Sequence, residues 1–233
     1  MVVRLFDQII DFFKRLKYLY LEWRLRSQIK ANAKIRKEVG QDLKVYWNED
    51  FSRELRTWGL DTAWLEIQYL LIHGRGKVLD IACGCGSVMT LFNSYPHLKM
   101  YGCDISDFLI GKAVESVIPG DQLKVCDATK THYQDNEFDY SYSIGSLEHF
   151  TEEGILAFIR EAYRITSRVS FHQIPTARSE KNEGWIRLGQ SYFNNSVEWW
   201  LEKFKSVYDN VTVLSSRWED PLSLGKWFVC AKN

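Results

Sequence analysis

Residues 77–87 read Lys77-Val78-Leu79-Asp80-Ile81-Ala82-Cys83-Gly84-Cys85-Gly86-Ser87. Val78, Leu79 and Ile81 suit a short parallel strand covered on both faces. The run closes on an acid and passes directly into a loop with two glycines. Gly84 and Gly86 allow a sharp turn and let backbone approach a ligand that a Cβ would repel. Such a loop serves either as a nucleotide cradle or as a simple tight turn, and the loop alone does not separate the two.

The rest of the chain supplies the context. A helical stretch, residues 52–72, leads into this strand, and after the loop helical and strand patterns alternate. Residues 87–95 read as a helix, 98–104 as a strand, 106–117 as a helix, and 122–126 and 138–143 as strands. Residues 152–165 form a strongly amphipathic helix and 168–173 a fifth strand. Alternation of this kind builds a parallel sheet with helices on both sides. Past Pro175 it stops: a polar, aromatic stretch runs to Asn195, then a helix carries Trp199, Trp200 and Phe204. Two strands close together, 211–214 and 226–231, permit an antiparallel hairpin at the sheet edge.

Four features then fall at the carboxyl ends of successive strands, where doubly wound sheets bind ligands. They are the loop itself, Asp104 after Met100-Tyr101-Gly102-Cys103, Asp127 with Ala128 after Cys126, and Ser143-Ile144-Gly145-Ser146-Leu147-Glu148-His149. Asp104 stands eighteen residues after Gly86, near the spacing at which an acid accepts both hydroxyls of a ribose. A dinucleotide loop wants Gly-x-Gly-x-x-Gly, and here Met89 occupies the third glycine position.

In its glycine motif, second-strand acid, third-strand acid and fourth-strand segment, residues 77–171 resemble the class I S-adenosylmethionine-dependent methyltransferases. The family pattern has a glycine where this chain has Ala82. The resemblance implies a mostly parallel, seven-stranded Rossmann-like sheet with an antiparallel edge strand, spanning residues 61–233 with an acceptor-site insertion at 175–205. Residues 1–60 are then a helical extension. It also implies S-adenosylmethionine as cofactor. Asp80 would order the loop near the methionine amine, with Ala82, Cys83, Gly84 and Gly86 lining the methionyl group and ribose. Asp104 would hold the ribose hydroxyls, Ile105 and Ala128 would flank the adenine and Asp127 would accept from its amine. Ser143 and Ile144 would border the sulfonium. Locally, Asp104 reads equally as a helix cap and Asp127 as a turn residue.

His149 and Glu148 are the candidate proton acceptors, with His172 beside Gln173 the alternative; a histidine at such a position also serves simply to pack. Tyr46, Trp47, Arg53, Arg56, Arg178, Trp185, Arg187, Gln190 and Tyr192 are the candidate acceptor contacts. Rings mixed with Arg and Gln suit a sugar or an anionic metabolite. A low-specificity resemblance of the carboxyl third to surface-polysaccharide and small-molecule methyltransferases points to a glycan hydroxyl. A cofactor-binding partner subunit without turnover is the alternative.

Composition limits the classes. Net charge is zero, and there is neither a Pro-Pro-Tyr segment nor a Pro-Cys pair, so no nucleic-acid substrate is expected. Five cysteines, Cys83, Cys85, Cys103, Cys126 and Cys230, suit a reducing compartment, and the one-residue gap between Cys83 and Cys85 is not a zinc spacing, so no metal is expected. Charge is uneven: residues 1–39 hold ten Lys or Arg against four acids, leaving the remainder net negative by six. In 5–25, Leu5, Ile9, Phe12, Leu16, Leu19 and Trp23 form one helical stripe, widened by Phe6, Ile10, Phe13 and Tyr20. Such a helix packs on its own body, docks a partner, or lies on the inner face of a membrane. No apolar run approaches the roughly 20 residues of a spanning helix, and a cytoplasmic enzyme, peripheral at most, is expected.

Overall fold

A computed structural model describes residues 2–35, 47–116, 118–188 and 190–232, with side chains of the first stretch described from 12 to 31. The expected contact Tyr46, the helix end at Val117 and the side chains of Leu5, Phe6, Ile9 and Ile10 lie outside the described residues.

The chain runs α1 (Val2–Ile35), α2 (Glu49–Glu54), α3 (Ala63–Leu71), β1 (Gly76–Ile81), α4 (Ser87–Thr90), β2 (Leu98–Asp104), α5 (Asp107–Glu115), β3 (Leu123–Val125) and β4 (Phe138–Ile144). It continues with α6 (Glu152–Ile165), β5 (Thr166–Ala177), the short pair β6 (Trp185–Ile186) and β7 (Tyr192–Phe193), α7 (Val197–Lys205), β8 (Asn210–Glu219) and β9 (Ser223–Ala231). Seven strands form one sheet in the order β3-β2-β1-β4-β5-β9-β8. The first five are parallel, and β9 pairs antiparallel with both β5 and β8, giving the expected antiparallel edge. This is the Rossmann-like sheet the strand pattern predicts. Strand order reverses at β1, between β2 and β4, which opens a crevice beyond the strand ends.

Strand alternation divides the core into two layers. Val78, Met89, Phe92, Tyr142 and Trp227 pack with Trp64 and Ile67 of α3 on one face. Leu79, Ile81, Phe138 and Phe228 meet Ile155, Phe158 and Ile159 of α6 and Trp200 and Phe204 of α7 on the other. α6 keeps its expected bounds because Thr151 caps it, accepting from the Gly154 N–H at 3.2 Å, and its apolar stripe is continuous.

Two helices differ from expectation. The stretch from Ser52 to Ile72 is broken by turns at 55–62, where Gly59 lies under the Trp64 indole; a Cβ there would fall 2.5 Å from the ring. The helix expected over 87–95 ends at Thr90 and continues as i to i+3 turns, Leu91 N–H to Val88 O and Phe92 N–H to Met89 O, both 3.1 Å. Conversely, β5 runs on through Pro175. Pairing with β4 stops at Gln173, so the missing N–H lies on an open edge.

Among the described side chains, α1 does not bury its apolar stripe on the body. Phe12, Leu19 and Trp23 are 58, 62 and 66% exposed, and the helix docks by its other face, through Tyr18 and Arg26. The helix thus rests on its own body, but by the face opposite the described part of that stripe. No described helix is long and apolar enough to cross a membrane.

Candidate active site

A cavity of about 560 Å³ opens beyond the carboxyl ends of β1, β2, β4 and β5. One half is built from the glycine loop and its two neighbouring acids. Ala82, Gly84 and Gly86 all take left-handed backbone, with φ of 61, 54 and 69°. That geometry is strained for alanine and free for glycine. The Cys83 N–H donates to Cys103 O and the Gly86 N–H to Cys83 O, each at 2.9 Å, which folds the loop back on β2.

Asp104 ties two loops together. Its Oδ2 accepts from the Gly84 N–H and its Oδ1 from the Ser106 N–H, both at 2.9 Å. The cap of α5 is instead Ser106, whose Oγ accepts from the Leu109 N–H at 3.2 Å. Asp80, 3% exposed, accepts from the Tyr142 hydroxyl at 2.9 Å. Burial holds the Asp80 carboxyl well above its ordinary value against that bond, and the Asp104 charge adds to the rise. Burial likewise raises Asp104, with its backbone partners opposing. Two buried acids that each resist ionisation suit a ligand that brings positive charge. Asp127 uses one oxygen, Oδ1, to close a turn with the Thr129 N–H and hydroxyl, both at 2.8 Å, and still lines the cavity.

The cavity wall also includes Ala82, Cys83, Gly84, Ile105, Ala128 and Ile144. It leaves out Gly86, Ser143 and His172. Gly86 is a turn residue, since a Cβ there would lie 2.2 Å from Ile118 Cδ1. Ser143 and His172 are fully buried behind the wall, joined by a 2.8 Å hydrogen bond between Ser143 Oγ and His172 Nδ1. The His172 ring stacks on Phe204 at 5.2 Å, and burial pushes it down to about 3. The expectation that His172 faces the acceptor and that Ser143 borders the sulfonium is corrected: successive strand residues point to opposite faces, and Gln173 and Ile144 take the cavity side.

The other half of the cavity is aromatic and acidic. Trp58 meets Trp64 and Trp218 edge-on at 6.3 and 6.4 Å, and Tyr192 lies beside His149 at 6.4 Å. Glu148 and His149 sit on a 3-10 turn after β4. His149 Nδ1–H donates to Ser191 O at 2.8 Å, because a carbonyl only accepts, so Nε2 is the ring's basic nitrogen; it lies 3.7 Å from Glu148 Oε1. Burial pushes Glu148 up to about 8 and His149 down to about 4, which places the proton on Glu148 and leaves the imidazole neutral near pH 7. Glu148 Oε2 and Gln173 Nε2 are buried and unmatched by any described protein group. Gln190 completes this wall together with Asp220, whose Oδ1 accepts from the Leu222 and Ser223 N–H groups at 2.7 and 2.6 Å.

Of the expected acceptor contacts, Trp47, Gln190 and Tyr192 reach the cavity. Arg53 pairs with Asp50 on the surface and Arg178 with Glu219, Trp185 packs on Phe193 at 5.0 Å, and Arg56 and Arg187 do not line the wall. No Lys or Arg stands among the described lining residues. Trp58, Trp218 and Asp220 were not anticipated. Their only sequence signal is an aromatic beside acids in a turn, which surface hairpins share.

A family model described as a methyltransferase domain matches residues 78–168. The ubiquinone/menaquinone biosynthesis C-methyltransferase UbiE of Burkholderia mallei is 28% identical over 198 residues, covering 80% of this chain and 79% of that protein. Among solved structures, phosphoethanolamine N-methyltransferase 2 of Haemonchus contortus with S-adenosyl-L-methionine superposes at a TM-score of 0.63 and 15% identity, over 84% of this chain and 61% of that enzyme. This chain thus spans about three fifths of that enzyme's length. A protein from Pyrococcus horikoshii superposes at 0.55 and 23% identity, over 80% of this chain and 93% of that one. These likenesses establish the fold, and the family match adds the methyltransferase domain.

Proposed function

We propose that this S-adenosylmethionine-dependent methyltransferase delivers its methyl group to a hydroxyl of a small, uncharged polar acceptor, a sugar or a surface-polysaccharide precursor. Residues 1–25 keep it peripheral to a membrane. The observation that carries the acceptor reading is the far wall of the cavity, where Trp58, Trp218 and Tyr192 stand with Glu148, Gln173 and Asp220 and without Lys or Arg among the described residues. Aromatic faces cover the apolar side of a sugar ring, while carboxyl and amide groups bond its hydroxyls. An anionic acceptor would meet no Lys or Arg among the described lining residues.

When bound, S-adenosylmethionine supplies a methyl group already activated on a sulfonium. In this reading Asp104 takes the ribose hydroxyls, Asp127 the adenine amine, and Ile105 and Ala128 the faces of the base. Asp80 faces the methionine amine, and the loop Ala82-Cys83-Gly84, with left-handed backbone at Ala82 and Gly84, admits the methionyl chain. Orientation contributes most to an in-line displacement. Glu148 Oε2 and Gln173 Nε2, both buried without a described partner, would hold the acceptor head. His149, fixed through Nδ1 by Ser191 O, would receive the hydroxyl proton at Nε2.

A second reading, methylation at carbon of a flat ring, draws on the likeness to UbiE and on the same aromatic walls. Incubation with methyl-labelled cofactor and a panel of neutral glycosides, sugar phosphates and phenolic rings separates the cases. Label on glycosides supports the proposal and label on phenolic carbon supports the second reading. Label on sugar phosphates alone overturns the acceptor assignment. An active His149→Ala enzyme with unchanged kcat would remove His149 as the base.

A further inference from the structure

The outward face of α1 is left unexplained by methyl transfer. At about 100° per residue, Tyr18, Leu21, Leu25 and Ile29 fall on one side of the helix, and the last three are half-buried. From that side the Tyr18 hydroxyl reaches Glu219 at 3.5 Å and its ring lies 5.7 Å from the Arg178 guanidinium, while Arg26 pairs with Glu183 at 3.3 Å. Phe12, Phe13, Leu16, Leu19, Tyr20 and Trp23 occupy an opposite arc of roughly 120°. All six are exposed, from 45 to 66%. Exposed Arg15 borders this arc on one side, Lys17 and Arg24 on the other. The one acid among the described side chains of α1, Glu22, lies toward the body and pairs with Arg26 at 2.8 Å.

The anchoring points matter. Glu219 lies between Trp218 and Asp220, and Glu183 belongs to the segment that carries Gln190 and Tyr192; all four of those neighbours line the acceptor half of the cavity. α1 therefore stands on the two segments that shape acceptor binding.

We propose that the outward face of α1 seats the protein on an anionic lipid bilayer, and that the acceptor is an amphiphile drawn from that surface with its polar head entering the cavity. The second clause rests on the methyl-transfer reading above. An aromatic and aliphatic arc with cationic borders matches the interface of a bilayer with negative headgroups. Pairing with a second copy through the same arc would bring the cationic borders of both helices together, so the lipid surface is the better occupant.

The test is co-sedimentation of the full chain with vesicles of phosphatidylcholine alone or with about one third phosphatidylglycerol, at low and high salt. The anionic vesicles should bind at least about tenfold more tightly, and salt should weaken them. Replacing Arg15, Lys17 or Arg24 by Gln should each cost about fivefold. Leu19→Glu with Trp23→Glu should abolish sedimentation while S-adenosylmethionine binding, read by calorimetry, is unchanged. No binding to anionic vesicles, binding indifferent to Leu19→Glu and Trp23→Glu, or a dimer that those substitutions dissolve would each overturn the bilayer assignment. Labelled methyl recovered in the lipid extract supports the amphiphilic acceptor, and label confined to water-soluble compounds refutes it while leaving the methyl-transfer reading intact. Loss of cofactor binding in the wild-type chain would instead strike the methyl-transfer reading.

Discussion

Replacing Glu148 by Gln should stabilise the protein, by an amount that grows with pH. Glu148 is 4% exposed, its Oε2 has no described partner, and burial moves its pKa from 4.5 to about 8. Above pH 4.5 the unfolded chain releases this proton, whereas the native state keeps it until about pH 8. The native state therefore binds more protons across that interval, and stability falls as pH rises. At about 1.4 kcal/mol per pH unit, the penalty reaches about 3 kcal/mol at pH 7 and about 5 kcal/mol above pH 8. Glutamine keeps the shape of the neutral acid and cannot ionise. Glu148→Gln should match the wild type within about 1 kcal/mol near pH 5 and exceed it by about 3 kcal/mol at pH 7, a rise of roughly 6 to 12 °C in Tm for a chain of this size. Urea unfolding without cofactor, at about pH 5, 7 and 8.5, reads the difference directly. A variant that tracks the wild type at all three values, or loses stability at the highest, would mean that Glu148 is ionised and paired with His149 across their 3.7 Å separation.

Asp104→Asn leaves a carboxamide where two backbone N–H groups now meet carboxylate oxygens, so stability should fall by about 1–3 kcal/mol and calorimetry should show cofactor binding weakened at least about tenfold. Ala82, at a φ of 61°, tests the departure from the family glycine. Ala82→Gly relieves about 1 kcal/mol of left-handed strain but adds nearly as much unfolded-state entropy, so urea midpoints should shift by under about 0.5 kcal/mol, while Ala82→Val should cost more than about 1 kcal/mol. His172→Phe should lower Tm, by removing the bond to Ser143, yet retain turnover per folded molecule; a selective loss of kcat with unchanged stability would return His172 to the chemistry.

How legible these features are in sequence depends on how local their determinants are. β2 and α6 lie where the pattern predicts because a short mostly apolar segment from Leu98 to Cys103, and a Thr151 cap with a stripe of period 3.6, are properties of neighbouring residues. The break at 55–62 is not local in this sense: Trp64 seats on Gly59 only once α3 has turned back. The pair His172 and Gln173 shows a different limit. Both lie at one strand end, but alternation sends one to the cavity and the other under Phe204, and the register of β5 against β4 decides which. Ser143 and Ile144 obey the same rule one strand away. A reading that assigns adjacent strand residues to one site will be wrong for one of them.

The two halves of the cavity also differ in how the chain encodes them, which is why the proposed donor half reads from sequence more directly than the proposed acceptor half. The donor half comes from three consecutive strand ends, and its acids sit at spacings set by one strand-helix-strand repeat. The acceptor half draws Trp58 from the turns before α3, Glu148 and His149 from the turn after β4, Tyr192 from β7, and Trp218 and Asp220 from the end of the terminal hairpin. Each segment contributes one or two side chains, so no run of sequence carries the set. What identifies its ligand is a property of the assembled wall: rings, carboxyls and two amides converge there, and Arg178 of the neighbouring segment turns outward to Glu219. Tyr18, against Glu219 and Arg178, and Arg26, paired with Glu183, fasten α1 to the segments of this half. A helix tied to the proposed acceptor wall and apolar on its described free side links the question of what is methylated to the question of where, and the proposed lipid-borne acceptor would answer both.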